Sequence, residues 1–224
     1  MASHRNSLLA SLMIKDFGLL EPHLQPVTLG FRKILEKPNK RIEAVYFPES
    51  GFASVVAVQS SKTQVEVGLI GRERMTDVAI VLGNHQTPHS TYVQAAGTGQ
   101  CIPADDLRQA IRASLSLRDL DKVRDCVRRA DNSYGDLQRE FPNGSAVGAL
   151  AAQDRIGTDV LPLTHEFLAL MLAVHRPGVT AALIALKKQR LIVYRRGNIT
   201  ITDRKALERT AGASYGVPKA STVG

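Results

Sequence analysis

The sequence predicts an α+β chain. Short strands form an N-terminal barrel or jelly roll, a long helix follows, and a helix-turn-helix closed by a β-hairpin ends the fold. Three observations carry this. β-prone runs at 27–35, 42–47, 52–58, 65–70, 91–96 and 101–102 alternate with turn residues such as Lys37-Pro38-Asn39, Pro48-Glu49-Ser50-Gly51 and Gly83-Asn84-His85, the spacing of an all-β roll. Leu117, Leu120, Val123, Val127, Ala130, Tyr134 and Leu137 then recur at nearly heptad spacing. Last, 164–201 reads as a short helix, a tight turn, a longer helix and a hairpin.

Taken in order, 6–20 predicts a short amphipathic helix ended by Gly18, before Pro22 and Pro26 break the chain. Val65-Glu66-Val67-Gly68-Leu69 alternates as a half-buried strand should, and 75–82 suggests a short helix after Gly71. Either Asp105 or Asp106 is placed to cap the next helix. The heptad-like stripe is flanked by six basic and six acidic residues between Arg118 and Glu140, which suits a helix that pairs with its own copy. Pro142 and Gly144 should stop it. In the small-residue run 146–152 only Val147 and Leu150 offer bulk to bury. Thr202 or Asp203 caps a closing helix, and 212–224, rich in Gly, Ser, Pro and Ala, is expected to be disordered.

Within 164–201, Thr164 is placed to cap the first helix, Glu166 suits its positive end, and Leu168, Met171 and Leu172 share one face. Ala173-Val174-His175 make the turn, and Pro177 falls where a missing N–H costs little. Val179, Ala182, Leu183 and Leu186 form the inner stripe of the second helix, leaving Arg176, Thr180, Ile184, Lys187 and Lys188 outside it. Arg195-Arg196-Gly197-Asn198 gives the hairpin a cationic tip. A helix so presented fits the DNA major groove, its first residues reaching base edges. Between His175 and Lys205 eight Lys/Arg face one acid, Asp203, a net +7 within a chain of +8, as phosphate binding would want.

Thr164-His165-Glu166-Phe167-Leu168-Ala169, His175-Arg176-Pro177-Gly178-Val179-Thr180, Leu191-Ile192 and Gly197-Asn198-Ile199-Thr200-Ile201 resemble the winged helix of the Crp–Fnr family of bacterial transcription regulators. Tyr46-Phe47-Pro48 with Gly51-Phe52-Ala53-Ser54 resembles that family's sensor, a β-roll related to cyclic-nucleotide-binding domains. The resemblance implies a β-roll sensor over 1–116, a dimerisation helix over 117–140, a winged-helix DNA-binding domain over 141–211 and a tail over 212–224. It implies a homodimer on a near-palindromic operator of double-stranded DNA, with RNA polymerase as a further partner. On this reading Thr164, His175, Arg176, Thr180, Lys187, Lys188, Arg195 and Arg196 bind DNA. His175, Arg176 and Thr180 take base edges, and the four later cations hold phosphates.

Relatives that bind cyclic nucleotide hold its phosphate with a Gly-Glu pair and an Arg-Ser pair. Here Gly71-Arg72-Glu73 and His89-Ser90 stand in those places. His is a poor substitute for a guanidinium at neutral pH, so no cyclic nucleotide or other cofactor is expected and the effector stays open. Arg74 stands where such relatives carry a small residue. Residues 118–155 depart from a family whose DNA domain starts with a helix rich in Glu, Arg, Leu and Trp, which raises a compensated reading-frame change as the origin of this stretch.

Two cysteines, Cys101 and Cys126, without a CxxC argue against zinc modules and against the family's iron–sulfur branch, and fit a reducing cytosol. The apolar run 8–14 is too short to span a bilayer and lacks a cleavage site, so a cytoplasmic protein with no membrane partner is expected. His85 and His89 flank Thr87-Pro88 with no third ligand nearby, and His165-Glu166 lacks a second His. No metal site, catalytic residue or enzyme motif emerges. The rival readings are a ligand-binding β-roll whose winged helix docks a protein and, more distantly, a cupin-like metal enzyme.

Overall fold

The computed structural model describes residues 4–60, 63–81, 83–118, 144–172, 176–212 and 215. The chain divides into two compact units, Met1–Arg128 and Arg129–Gly224.

In the first unit, 6–20 forms two helices rather than one: α1 (Ser7–Ala10) and α2 (Ile14–Leu20), parted by extended backbone at Met13. Gly18 lies inside α2. Asn6 starts α1, its Oδ1 accepting from the Leu8 and Leu9 N–H groups, while its Nδ2 donates to the Pro48 and Arg74 carbonyls. One buried amide thus ties the helix to two separate loops.

The strands are β1 (Gln25–Leu29), β2 (Ile34–Glu36), β3 (Ala44–Pro48), β4 (Phe52–Ser60), β5 (Thr63–Ile70), β6 (Ser90–Ala95) and β7 (Gly97–Pro103). They make two antiparallel sheets, ordered β1-β7-β3 and β2-β6-β4-β5. The run 27–35 is split because Arg32 turns the chain at φ +62. β7 is longer than Cys101-Ile102 alone and is central to its sheet. Its Gly97 approaches Ser50 so closely that an added Cβ would lie 2.1 Å from that carbonyl oxygen, so a residue of low strand propensity is required there.

Among the described residues of 75–81 a 3-10 turn at Val78–Ile80 forms in place of a helix, since Asp77 just before it adopts φ +55. α3 (Ala104–Ala113) begins directly after β7, with Pro103 at the cap position. Asp105 and Asp106 therefore lie in the first turn and do not cap it. α4 (Leu115–Arg118) follows. Leu9, Leu20, Val45, Phe47, Met75, Ile102 and Leu107 form the core between helices and roll. The heptad-like stripe beyond Arg118, with Cys126 and Pro142, lies outside the described residues.

The second unit starts with α5 (Gly144–Ile156), and the sequence expectation for it is corrected. Every residue from Gly144 to Leu150 is buried, as are Ala152 and Gln153. Its small side chains are what permit this: a Cβ at Gly148 would stand 2.1 Å from Met171 Cε. Close helix approach replaces side-chain bulk. There follow β8 (Val160–Leu161), α6 (His165–Met171), α7 (Arg176–Lys188), β9 (Ile192–Arg195), β10 (Asn198–Ile201) and α8 (Arg204–Ala211). Asp203 caps α8, accepting from Ala206 N–H at 2.9 Å. Among the described residues no helix is long and apolar enough to cross a membrane.

Candidate nucleic-acid interface

α6 and α7 form the helix pair, and the β8-β10-β9 sheet forms the wing. Thr164 caps α6 as expected, its Oγ1 accepting from Phe167 N–H at 3.1 Å. Leu168, Met171 and Leu172 are buried, as are Val179, Ala182, Leu183 and Leu186 of α7. α7 ends in a Schellman motif: Leu191 N–H donates to Leu186 O, and Arg190 N–H to Lys187 O. Arg190 holds the left-handed position, φ +58, that glycine usually takes. At the hairpin, Arg196 (φ +48) and Gly197 (φ +81) make a two-residue turn closed by the Asn198–Arg195 pair. Both angles are positive, as a type I′ turn demands, and Gly197 meets that demand without strain.

The cationic groups divide into two sets. Lys187, Lys188, Arg195 and Arg196 are exposed, and none has an acidic partner among the described residues. Arg204, counted in the sequence as part of the basic excess, is instead engaged internally. It donates to Glu208 and Asp154 at 2.8 Å, to Gln153 Oε1 at 2.5 Å and to the Tyr215 hydroxyl at 2.5 Å. Burial first, then the bond to Asp154, pushes the Tyr215 phenol up to about 12. Arg204 fastens α8 to α5 and is not free for phosphate.

Of the residues assigned to base edges, Arg176 is exposed at the start of α7 and pairs with Glu166 at 3.1 Å. Ion pairs this exposed contribute little, so the guanidinium is available to a stronger anion or a base. Thr180 is half-buried. Its hydroxyl donates to Arg176 O at 3.2 Å and shares a 3.0 Å hydrogen bond with His165 Nδ1. His175 lies outside the described residues.

His165 stands in the family-like stretch 164–169 and lacks the second His of a zinc motif, and neither pattern reveals what it does. It bonds Thr180 of α7 and packs on the Tyr194 ring of the wing, centroids 4.5 Å apart. Burial first, and then the Arg176 charge, holds its pKa below the ordinary imidazole value, with Glu166 opposing. Nε2 is buried without a partner. The ring is therefore a neutral strut joining first helix, second helix and wing.

In the first unit, Gly71 is buried, Arg72 exposed, and Glu73, His89 and Ser90 half-buried. By register, Gly71 lies just past the Ile70–Ala53–Val93 row, while Ser90 shares a row with Val56 and Glu66. The loop after β5 is pinned inward. Arg72 O accepts from Ser7 N–H, Arg74 N–H donates to Gly71 O, and Thr76 N–H donates to Tyr46 O. Arg74 is buried and donates to Leu69 O at 3.1 Å. The Arg74 and Thr76 N–H groups of this loop are thus used by the fold itself.

Beside that loop, Asp77 and Glu36 form a buried acid pair. Burial first, then the hydrogen bond and charge of Glu36, pushes Asp77 up to about 9, with Arg108 opposing. Burial therefore favours the neutral form of the Asp77 carboxyl. Thr91 donates its hydroxyl to Glu36 Oε2.

Residues 146–210 match the family described as the Crp-like helix-turn-helix domain. Over those residues the second unit is similar to Crp-like helix-turn-helix domains. The chain as a whole has the fold of the Crp/Fnr regulators. The structure of a transcriptional regulator of the crp/fnr family from Eubacterium rectale is similar at TM-score 0.71 and 18% identity, covering 93% of this chain and 99% of that one. A CRP-family regulator from Thermus thermophilus gives 0.69 and 18%, with 86% and 98% covered. FixK2 from Bradyrhizobium japonicum gives 0.65 and 13%, with 85% and 98% covered. No curated protein matches the chain by sequence. The domain match opens at Ala146, inside the stretch that departs from the family in composition, which argues against an altered reading frame from that residue on.

Proposed function

We propose that the protein is a dimeric, sequence-specific, DNA-binding transcription regulator of Crp/Fnr type that acts in the cytoplasm and is not an enzyme. Residues 1–116 serve as sensor, 117–140 as dimerisation helix and 141–211 as DNA-binding domain, with 212–224 as a tail. Arg176, Thr180 and His175 meet base edges, and Lys187, Lys188, Arg195 and Arg196 hold phosphates. Thr164 fixes the start of α6. The observation that carries the reading is the placement of charge: Arg176 stands exposed at the entry of α7, and four cations without acidic partners lie on α7 and the wing. Two such helices about a two-fold axis would enter major-groove faces roughly 34 Å apart. RNA polymerase is a further partner on this reading.

The sensor's effector is not a cyclic nucleotide held in the family's manner. Support comes from Arg74 and the loop donors turned into the fold, and from His89 standing where a guanidinium would be needed. A shift assay on duplex DNA over a salt series tests the whole reading. Binding that weakens steeply with salt is expected. Absent or salt-insensitive binding would favour a protein-docking role. That alternative draws on one observation, the exposed Val160 and Val193 that flank Thr200 across the wing sheet.

A further inference from the structure

The outward face of α7 has an unusual chemistry for a helix that reads DNA. Pro177, Ala181, Ile184 and Lys188, spaced 4, 3 and 4, are all exposed, with Ala185 beside them. Ile184 is 51% exposed although the same helix buries Val179, Ala182, Leu183 and Leu186. Residues 176–188 contain no Asn, Gln, Asp or Glu. The side chains that pair with adenine or accept from cytosine are therefore missing from this helix. Arg176, which suits guanine, is the exposed polar group near its start, held only by a solvent-exposed ion pair to Glu166. The Thr180 hydroxyl already donates within the domain. What remains to meet a base edge is a methyl-rich surface, and in the major groove the one apolar feature of any base is the 5-methyl of thymine.

We infer that α7 reads its half-site through thymine methyl groups packed on Pro177, Ala181 and Ile184, with Arg176 fixing register on a guanine. The inference rests on the DNA-binding reading above and narrows it to a code. Lys188 lies on this face, Lys187 is next to it in the chain, and Arg195 and Arg196 are exposed on the wing of the same domain, so the occupant that suits both chemistries is duplex DNA, not an apolar protein groove. The recognised sequence combines guanine with neighbouring thymines.

The test uses the full chain and a random-sequence duplex pool at fixed salt. Sites enriched from the pool are remade with uracil, which pairs as thymine does and lacks only the methyl. Enriched half-sites should carry thymines beside a guanine. Affinity should fall about fourfold for each methyl removed at those positions, the worth of one methyl group moved out of water. The double variant Ala181→Ser, Ile184→Ser changes exposed positions only. It should unfold at the parental temperature and bind the two duplexes alike. Enriched sites held equally well in uracil form would overturn the inference and leave sequence-specific binding standing. Failure to enrich any sequence would overturn the DNA-binding reading, and this inference with it.

Discussion

The two units of this chain treat charge in opposite ways. The first buries Asp16, Glu36, Glu66, Arg74 and Asp77, whereas among the described residues of the second the buried polar groups are Ser145 and Gln153, neither of them charged. The second unit keeps its cations on the outside, on α7 and the wing. The contrast separates two tasks. A domain that meets a polyanion needs an apolar interior and unengaged surface cations. A domain with buried acids couples its stability to protons, because desolvation favours their neutral forms.

Breaking the contrast from the second unit's side should have the largest effect. Ala149→Asp puts a lone carboxylate into the all-buried face of α5 and should cost about 3–5 kcal/mol, read as loss of the second unit's thermal transition. From the other side, Asp77→Asn removes a proton-linked acid while keeping a residue that tolerates φ +55. The folded pKa of Asp77 lies above its unfolded value. Its contribution is therefore complete below about pH 4 and is lost progressively as pH rises to about 9. The variant should be more stable than the parent at pH 8, by on the order of 2 kcal/mol in urea denaturation, and its stability should vary less with pH. An unchanged pH profile would refute a raised Asp77 pKa.

The surface cations sharpen the same comparison. Arg176→Ala should cost about 1–3 kcal/mol on the selected site and much less on random duplex. Equal losses on both would reassign Arg176 to phosphate. Arg195→Ala with Arg196→Ala should weaken every sequence and flatten the log–log salt slope by about 2. The smallest effect is expected at Arg190→Gly, which relieves left-handed strain at the end of α7 and should add about 0.5–1 kcal/mol to stability, measured by thermal unfolding.

Much of this was legible before any coordinates. The inner stripe of α7 and the hairpin tip follow from periodicity and from a Gly that matches a turn's dihedral demand. β7 was under-read because Gly97 and Gly99 are poor strand formers, held there by a neighbouring backbone instead of by propensity. α5 was under-read because bulk stood in for burial, whereas small residues let two helices close on each other. The base-edge assignments were legible only as exposure. That Thr180 shares its hydroxyl with His165, and that Arg204 is clasped by two acids, depends on residues 15 and 50 positions away. No local pattern carries such information.

One imidazole fastened at once to α7 and to the wing sets terms for how the proposed DNA preference could drift. A substitution at position 180 would also loosen the ribbon stacked on that ring. Effects of changes at 165, 180 and 194 should then be epistatic, and new operator preferences would be reached most easily through Ala181 and Ile184, outside that triangle.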